Sequence, residues 1–411
     1  MTTTTKQKST TPTATKKKST TRKSAKPTKK KSMTPKEKSP ELEPKDPLRS
    51  VHTTSFPEIL DQLSASVMVT TYQAGKLVML RNDAGVLNTH FRNLNKPMGL
   101  ARAGGKLAIG CSVDIWEYHN VPAVCAKLDE SEDYPANEAK HNTCFLPRRS
   151  HCTGDIQIHE MAWQDPEAAG AESELVFVNT AFSCLAKRSD ENSFEPVWRP
   201  HFIKQLMPGD NCHLNGMAMK DGRPAFVTAL GDQDTPGSWR ENKRDGGVLM
   251  DVASNEIIAR GLSMPHSPRW YNGKLWLMES GDGTIGTVDL KTGKYESIAQ
   301  FPGFTRGLSF YGPLAFIGLS QVRESSVFSG IPLVERLKEA EERTCGVWVL
   351  NIETGETLGF CKFEDGVQEI FAVEAMPGMS FPDLVNHDPK IVGSSYVLSD
   401  KALESVPDEL K

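Results

Sequence analysis

Apolar positions along the chain fall into short runs, some alternating with polar residues and some unbroken, separated by Gly, Asn and Asp turns. Long stretches of helical period are scarce. That rhythm predicts an all-β architecture. One unit recurs: a small or polar start, Gly with an apolar partner, a turn, then a short β-rich run. It is seen as Pro97-Met-Gly-Leu-Ala-Arg-Ala-Gly-Gly-Lys-Leu-Ala-Ile-Gly, as Thr153-Gly-Asp-Ile-Gln-Ile with Leu175-Val-Phe-Val-Asn, and as Asn215-Gly-Met-Ala-Met-Lys-Asp-Gly-Arg-Pro-Ala-Phe-Val-Thr. It returns as Ser267-Pro-Arg-Trp-Tyr-Asn-Gly-Lys-Leu-Trp-Leu-Met-Glu, as Arg306-Gly-Leu-Ser-Phe-Tyr-Gly-Pro-Leu-Ala-Phe-Ile-Gly, and more weakly as Val367-Gln-Glu-Ile-Phe-Ala-Val-Glu.

Between copies lies a second hairpin signature, Gly286-Thr-Val-Asp-Leu-Lys-Thr-Gly-Lys and Gly346-Val-Trp-Val-Leu-Asn-Ile-Glu-Thr-Gly-Glu. Two hairpins make four strands, which is one propeller blade. Anchors at 99, 154, 216, 268, 307 and about 370 predict a six-bladed β-propeller. Too little chain follows the last anchor for a full blade. The strands Ser66-Val-Met-Val-Thr-Thr-Tyr and Lys76-Leu-Val-Met-Leu-Arg are therefore expected to complete it and close the ring, leaving no open edge.

Composition divides the chain. Residues 1–50 carry fifteen Lys or Arg against four acids, a net of +11 where the whole chain is at −4, so the body is near −15. With few large apolar residues, this Lys/Thr/Ser/Pro-rich tail is expected to be disordered and to attract polyanions weakly through charge alone. It has no interleaved aromatics, so specific nucleic-acid binding is not expected. The expected boundaries are a tail at 1–50, the propeller at 51–390 and a C-terminal tail at 391–411. No run has the apolar length of a membrane span. The start lacks an apolar h-region and the eight cysteines lack a CxxC. Reduced thiols and a cytoplasmic location are the expectation.

A residue just ahead of an inner strand points into the mouth of the central channel. The repeat places Lys96, His151, His213, Pro265-His266, Thr305-Arg306 and Gln368-Glu369 at that position. Three imidazoles, His151, His213 and His266, are thereby predicted to converge as ligands of a divalent transition metal, zinc first, with copper or iron as alternatives. Asp155 and Asn215 are candidates to orient them, and Asp155 to join the catalytic set. Arg306 is expected to hold a substrate carboxylate, and Glu369, or else Glu279, to act as general base. Cys152 and Cys212 are read as packing residues. His119, His141, His159, His201 and His387 have no repeated context and are read as structural or surface residues. Neither a nucleophile elbow nor a Gly-rich phosphate cradle is recognisable.

The long loops Cys111 to about Arg149, Gly231 to Lys243 and Gln321 to Arg343 are expected to overhang the same mouth. In the last of these, Leu333, Val334, Leu337 and Ala340 form an apolar stripe that predicts a helical lid.

The segments His213-Leu-Asn-Gly-Met-Ala, Ser263-Met-Pro-His-Ser-Pro-Arg-Trp-Tyr-Asn-Gly-Lys-Leu-Trp-Leu and Phe304-Thr-Arg-Gly-Leu-Ser-Phe resemble a bacterial family of conserved hypothetical proteins, a domain of unknown function, over roughly residues 60–385. That resemblance implies no activity. More distantly, the histidines resemble those of peptidyl-hydroxyglycine lyases, which hold zinc in a six-bladed propeller with one histidine from each of three blades. The acidic calcium ligands and disulfides of those lyases are not recognisable here. Lactonase-type propellers resemble the fold but use a calcium ion with Glu, Asn and Asp. Two functions follow as expectations. One is a metal-dependent enzyme of lyase or hydrolase type, acting at the channel mouth on a small or peptide-like carboxylate-bearing substrate. The other is a non-catalytic propeller that binds a protein or small ligand.

Overall fold

A computed structural model describes residues 47–129, 140–165, 173–322, 329–338 and 344–408. The chain divides after Lys45, and all the described residues belong to the unit that begins at Asp46. The expected basic tail lies almost wholly outside the described residues. So do Ala340 and the adjoining charged end of the expected lid.

Six antiparallel sheets of four core strands form the blades of a β-propeller. Written from the axis outward, blade 1 is Leu100–Ala103, Lys106–Gly110, Asp114–Asn120 and Thr143–Cys152. Blade 2 is Ile158–Trp163, Leu175–Asn179, Cys184–Lys187 and Glu195–Trp198. Blade 3 is Leu214–Lys220, Arg223–Ala229, Gly247–Asp251 and Ile257–Leu262, and blade 4 is Pro265–Tyr271, Lys274–Glu279, Thr284–Val288 and Tyr295–Gln300. Blade 5 is Phe304–Tyr311, Leu314–Ser320, Cys345–Asn351 and Thr357–Phe363.

Blade 6 closes the ring as the sequence predicts. Its inner strand, Ala372–Pro377, comes from the far end of the chain and pairs with Ala65–Thr71, followed by Lys76–Asp83 and Val86–Asn93. Two further strands were not foreseen. Ser50–His52 extends blade 5 along Cys361–Phe363, and Pro382–Leu384 runs parallel to Thr143–Phe145 at the rim of blade 1. Both cover outer edges that would otherwise present unpaired backbone groups.

Packing between blades supplies the core. Phe316, Val347, Val349 and Phe363 of blade 5 meet Val67, Val69, Val78 and Leu80 of blade 6. Helix Ser55–Gln62 drives Phe56 and Leu60, one turn apart, into that cluster. Each such side chain contributes about 1.5–3 kcal/mol by leaving water. The glycine anchors of the repeat are explained by crowding at the axis. A Cβ on Gly99 would lie 2.1 Å from His159 O of blade 2, and one on Gly216 would lie 2.3 Å from Pro268 Cδ of blade 4.

A hydroxyl latch ties neighbouring blades near the axis. At the end of a blade's second strand, Thr70, Thr180, Ser280 and Ser320 donate to Met98 O, Leu214 O, Thr305 O and Ile370 O, at the start of the next inner strand. All eight cysteines are free, and all but Cys152 are buried, where burial pushes thiols such as Cys111 and Cys212 up to about 12. Cys212 is thus a packing residue as expected, whereas Cys152 lies exposed at the end of an outer strand. Among the described residues no helix is long and apolar enough to cross a membrane.

Candidate ligand pocket at the channel mouth

Inner strands of blades 2 to 4 start directly after a residue in the left-handed region, Gln157, His213 and Met264, with φ between 47° and 51°, and Lys96, at 50°, lies four residues ahead of the inner strand of blade 1. That conformation is costly for non-glycine residues and aims successive side chains at two depths in the channel. Gln157, His213 and Met264 line an upper cavity of about 260 Å³. Two positions on, His159, Asn215 and His266 line a narrow void below it. His159 and His266 reach both levels.

This register corrects the predicted histidine set. His151 is not at a channel position. It sits on the outermost core strand of blade 1, where Nε2 meets Ser193 O at 2.8 Å. The inner strand of blade 2 starts later than the repeat suggested, and it brings His159 into the channel instead. His159 and His213 rings are 5.0 Å apart between centroids. His213 and His266 line the cavity as predicted, together with Arg306 and Glu369. Asp155 does not: it is exposed in the loop ahead of blade 2, where it accepts from Gln157 N. Lys96 is also exposed. Glu279 accepts from Ser263 N at 2.9 Å and does not line the cavity. Asn215 bridges Thr228 and Pro265 O, so it ties blade 3 to blade 4 and orients no imidazole.

Each of the three imidazoles has its Nδ1 held from behind. His159 Nδ1 meets Gln157 O at 2.8 Å and Thr180 Oγ1 at 2.7 Å. His266 Nδ1 meets Met264 O at 2.9 Å and Ser280 Oγ at 3.0 Å. The same latch hydroxyls that tie the blades thus orient the rings. Because a carbonyl only accepts, both rings carry their proton on Nδ1, and Nε2 is left as an acceptor. His213 Nδ1 pairs with Asp210 Oδ1 at 2.8 Å, while Asp210 Oδ2 accepts from Trp239 Nε1 and Arg240. Trp239 covers the His213 ring, centroid to centroid 4.4 Å. Among the described residues no Nε2 of the three has a hydrogen-bond partner.

Arg306 shares the floor with His159, His266 and Phe371. Its guanidinium lies 3.6 Å over the Phe371 ring, and among the described residues it has no hydrogen bond and no ion pair. Burial lowers its pKa to about 9, with Glu160 pulling the other way, so it stays cationic at neutral pH. Burial, and next the Arg306 charge, hold His159 and His266 well below the ordinary histidine value. Both are neutral at pH 7.

The predicted three-histidine metal cluster is not found among the described residues. Among the described residues no group of three or more His, Cys, Asp or Glu side chains is placed to hold an ion. The register supplies one reason: all three rings line the cavity, but His159 and His266 also reach the void below it and His213 does not. Arg306 supplies another, since a fixed cation beside two of the imidazoles opposes a dication there.

Two loops reach this mouth as expected. Trp239 and Arg240, in the loop from Gly231 to Lys243, form part of the wall. Within 321–343, the helix is shorter than predicted, Pro332–Arg336, with Ile331 and Leu333 packed against the cavity residues Met264 and Phe304. Leu333 N and Arg336 fasten it to Gly281 O, Asp282 O and Phe301 O. The third loop is a correction. The chain after Asn120 joins the third and fourth strands of blade 1, which places it at the opposite end of the blade. There Val124, Cys125 and Leu128 pack with Val385, Ile391 and Val392 of the C-terminal segment.

A family model for a domain of unknown function, DUF4915, matches residues 54–385. The chain belongs to this family. No curated protein matches it in sequence. Among solved structures it is similar in fold to a chain of a nidogen/laminin complex, at 7% identity, TM-score 0.47, covering 77% of this chain and 99% of that one. It is also similar to a protein of unknown function from Bacteroides caccae, at 10% identity, TM-score 0.45, covering 76% of this chain and 98% of that one.

Proposed function

We propose that this DUF4915 propeller binds a small carboxylate-bearing ligand in the cavity at its channel mouth, directly on Arg306. The observation that carries the reading is a cationic guanidinium on the cavity floor that no described carboxylate pairs with. Withholding a partner from a desolvated charge is unfavourable in a folded protein, and an anionic ligand would supply what is missing. Carboxylate suits the site better than phosphate. A dianion needs several converging donors, whereas His159 and His266 turn acceptor nitrogens toward the cavity. Met98, Leu230, Met264, Phe304 and Phe371 call for an apolar body on the ligand.

An enzymatic role is a second reading, favoured by one observation. The Asp210–His213 pair presents Nε2 at the cavity, and a carboxylate-backed imidazole can accept a proton and hold it. No metal step is needed for that chemistry. Calorimetric titration with a panel of small aromatic and aliphatic acids tests the binding reading. Carboxylates should bind the wild type and lose at least about tenfold in affinity to Arg306→Met, the loss expected for one charged hydrogen-bonded contact. Equal affinities for the two proteins would end the reading.

A further inference from the structure

We propose that the ligand is a hydroxy acid: a carboxylate with a neutral hydroxyl on a neighbouring atom and an apolar body beyond it. The inference rests on the carboxylate reading above and deepens it. It starts from what the floor offers once Arg306 has taken the carboxylate. Beside the guanidinium stand His159 and His266, which line both the cavity and the void beneath it. Their Nδ1 protons are committed to Gln157 O and Met264 O, with Thr180 and Ser280 as second partners. Ser280 and Thr180 give their own protons to Thr305 O and Leu214 O, so neither hydroxyl can turn to make the imidazole an acceptor at Nδ1. Each ring therefore meets the ligand through an Nε2 lone pair, and an acceptor facing a ligand selects a donor.

The donor must be neutral. Arg306 is close enough to help keep protons off both rings, and the same field opposes an ammonium group placed between them. That separates a hydroxy acid from an amino acid of the same shape. Among the described residues Glu369 is the carboxylate that lines the cavity and Glu160 the one that lines the void; Glu369 is buried and engaged in an interaction of its own and Glu160 is paired with Arg269, so neither offers an ammonium an open partner. The donor must also be close to the carboxylate, because both imidazoles share the narrow void with the guanidinium. Phe304 packs edge-on to His266 and Phe371 to His159, so the apolar body has aromatic surface on both sides of the polar floor. Thr180 and Ser280 are positioning residues in this scheme, and His159, His266 and Arg306 are the groups that touch ligand.

Matched ligands on the full-length wild-type chain test this by calorimetry and thermal shift, independently of whether any variant folds. The pairs are mandelate against phenylacetate, 3-phenyllactate against 3-phenylpropionate, and salicylate against benzoate. Mandelamide removes the charge, and phenylglycine replaces the hydroxyl by ammonium. At least one hydroxy acid should bind about tenfold more tightly than its deoxy partner and than the ammonium analogue, the discrimination one good hydrogen bond gives. In the double variant His159→Phe, His266→Phe that ratio should fall to within about twofold, while mandelate still binds better than mandelamide. In Arg306→Met the preference for acid over amide should vanish. If hydroxy and deoxy acids bind wild type equally, or the ammonium analogue binds best, the hydroxy-acid inference is overturned and the carboxylate reading stands. If no acid in the panel binds wild type better than the uncharged amide, the carboxylate reading falls and takes this inference with it.

Discussion

Arg269 and Arg306 occupy inner strands of adjacent blades along one channel, and the protein treats them in opposite ways. Arg269 makes a two-pronged pair with Glu160, both contacts at 2.9 Å, and adds bonds to Leu308 O and Pro268 O. Burial opposes its charge, but Glu160 more than offsets this and its pKa rises. Arg306 has the same burial problem without the remedy, and its pKa falls to about 9. A satisfied ion pair such as the first holds blade 2 to blade 4 across the axis. Arg306 stacks on Phe371 but adds no ion pair to the fold, and its chemistry is available to whatever enters the cavity.

Breaking each arginine's surroundings should expose that difference. Glu160→Gln leaves Arg269 without its carboxylate and should cost about 3 kcal/mol in urea unfolding, the penalty for an orphaned buried charge. Arg306→Met should change stability by less than about 1 kcal/mol, since an apolar side chain of similar length replaces an unpaired one. A loss from Arg306→Met as large as that from Glu160→Gln would make Arg306 structural and erase the contrast.

The next effect is on pH dependence. His159 and His266 have folded-state pKa values depressed well below 6.5. The unfolded chain therefore binds protons that the folded chain refuses. Stability should be full above about pH 6.5 and fall as the pH drops below it, by up to about 1.4 kcal/mol per unit for each histidine. Urea midpoints at pH 7.5, 6 and 5 read the slope, and His159→Gln with His266→Gln should flatten it. An unchanged slope would show that neither ring is held neutral. Asp210→Asn weakens the contacts to His213, Trp239 and Arg240 and should cost about 1 kcal/mol with a shift in Trp fluorescence. No fluorescence change would mean that Trp239 does not depend on Asp210. Smallest of all is the expected metal content: below about 0.2 equivalents of any transition metal in untagged protein. One full equivalent, lost from a His213→Ala, His266→Ala variant, would restore a metal at the channel mouth on two of the three histidines first expected from the sequence.

Much of the fold was legible because it is periodic. The glycine anchors, the paired hairpins and the missing last strands each follow from chain pattern, and blade number and closure follow from them. The site was legible only in part. Arg306, Glu369, His213 and His266 were found because they stand next to recognisable anchors. His159 was missed because the loop ahead of blade 2 runs on through Gln157, so the inner strand begins four residues after the assumed anchor at 154. A signal was present: Met161-Ala162 corresponds to Met217-Ala218, and alignment on that pair would have put His159 at the mouth and left His151 outside.

By itself the sequence determined which segments are strands, how many units they form and which chemistry-bearing residues are close to the axis. Those properties depend on side-chain alternation and turn residues a few positions apart. Tertiary structure decided which way each imidazole presents its lone pair and which arginine finds a carboxylate. Both depend on contacts between strands far apart in the chain, such as Thr180 to Leu214 and Glu160 to Arg269. A shift of two residues at the start of an inner strand changes the tier at which a side chain enters the channel. Local periodicity does not specify that shift; packing against the neighbouring blade does.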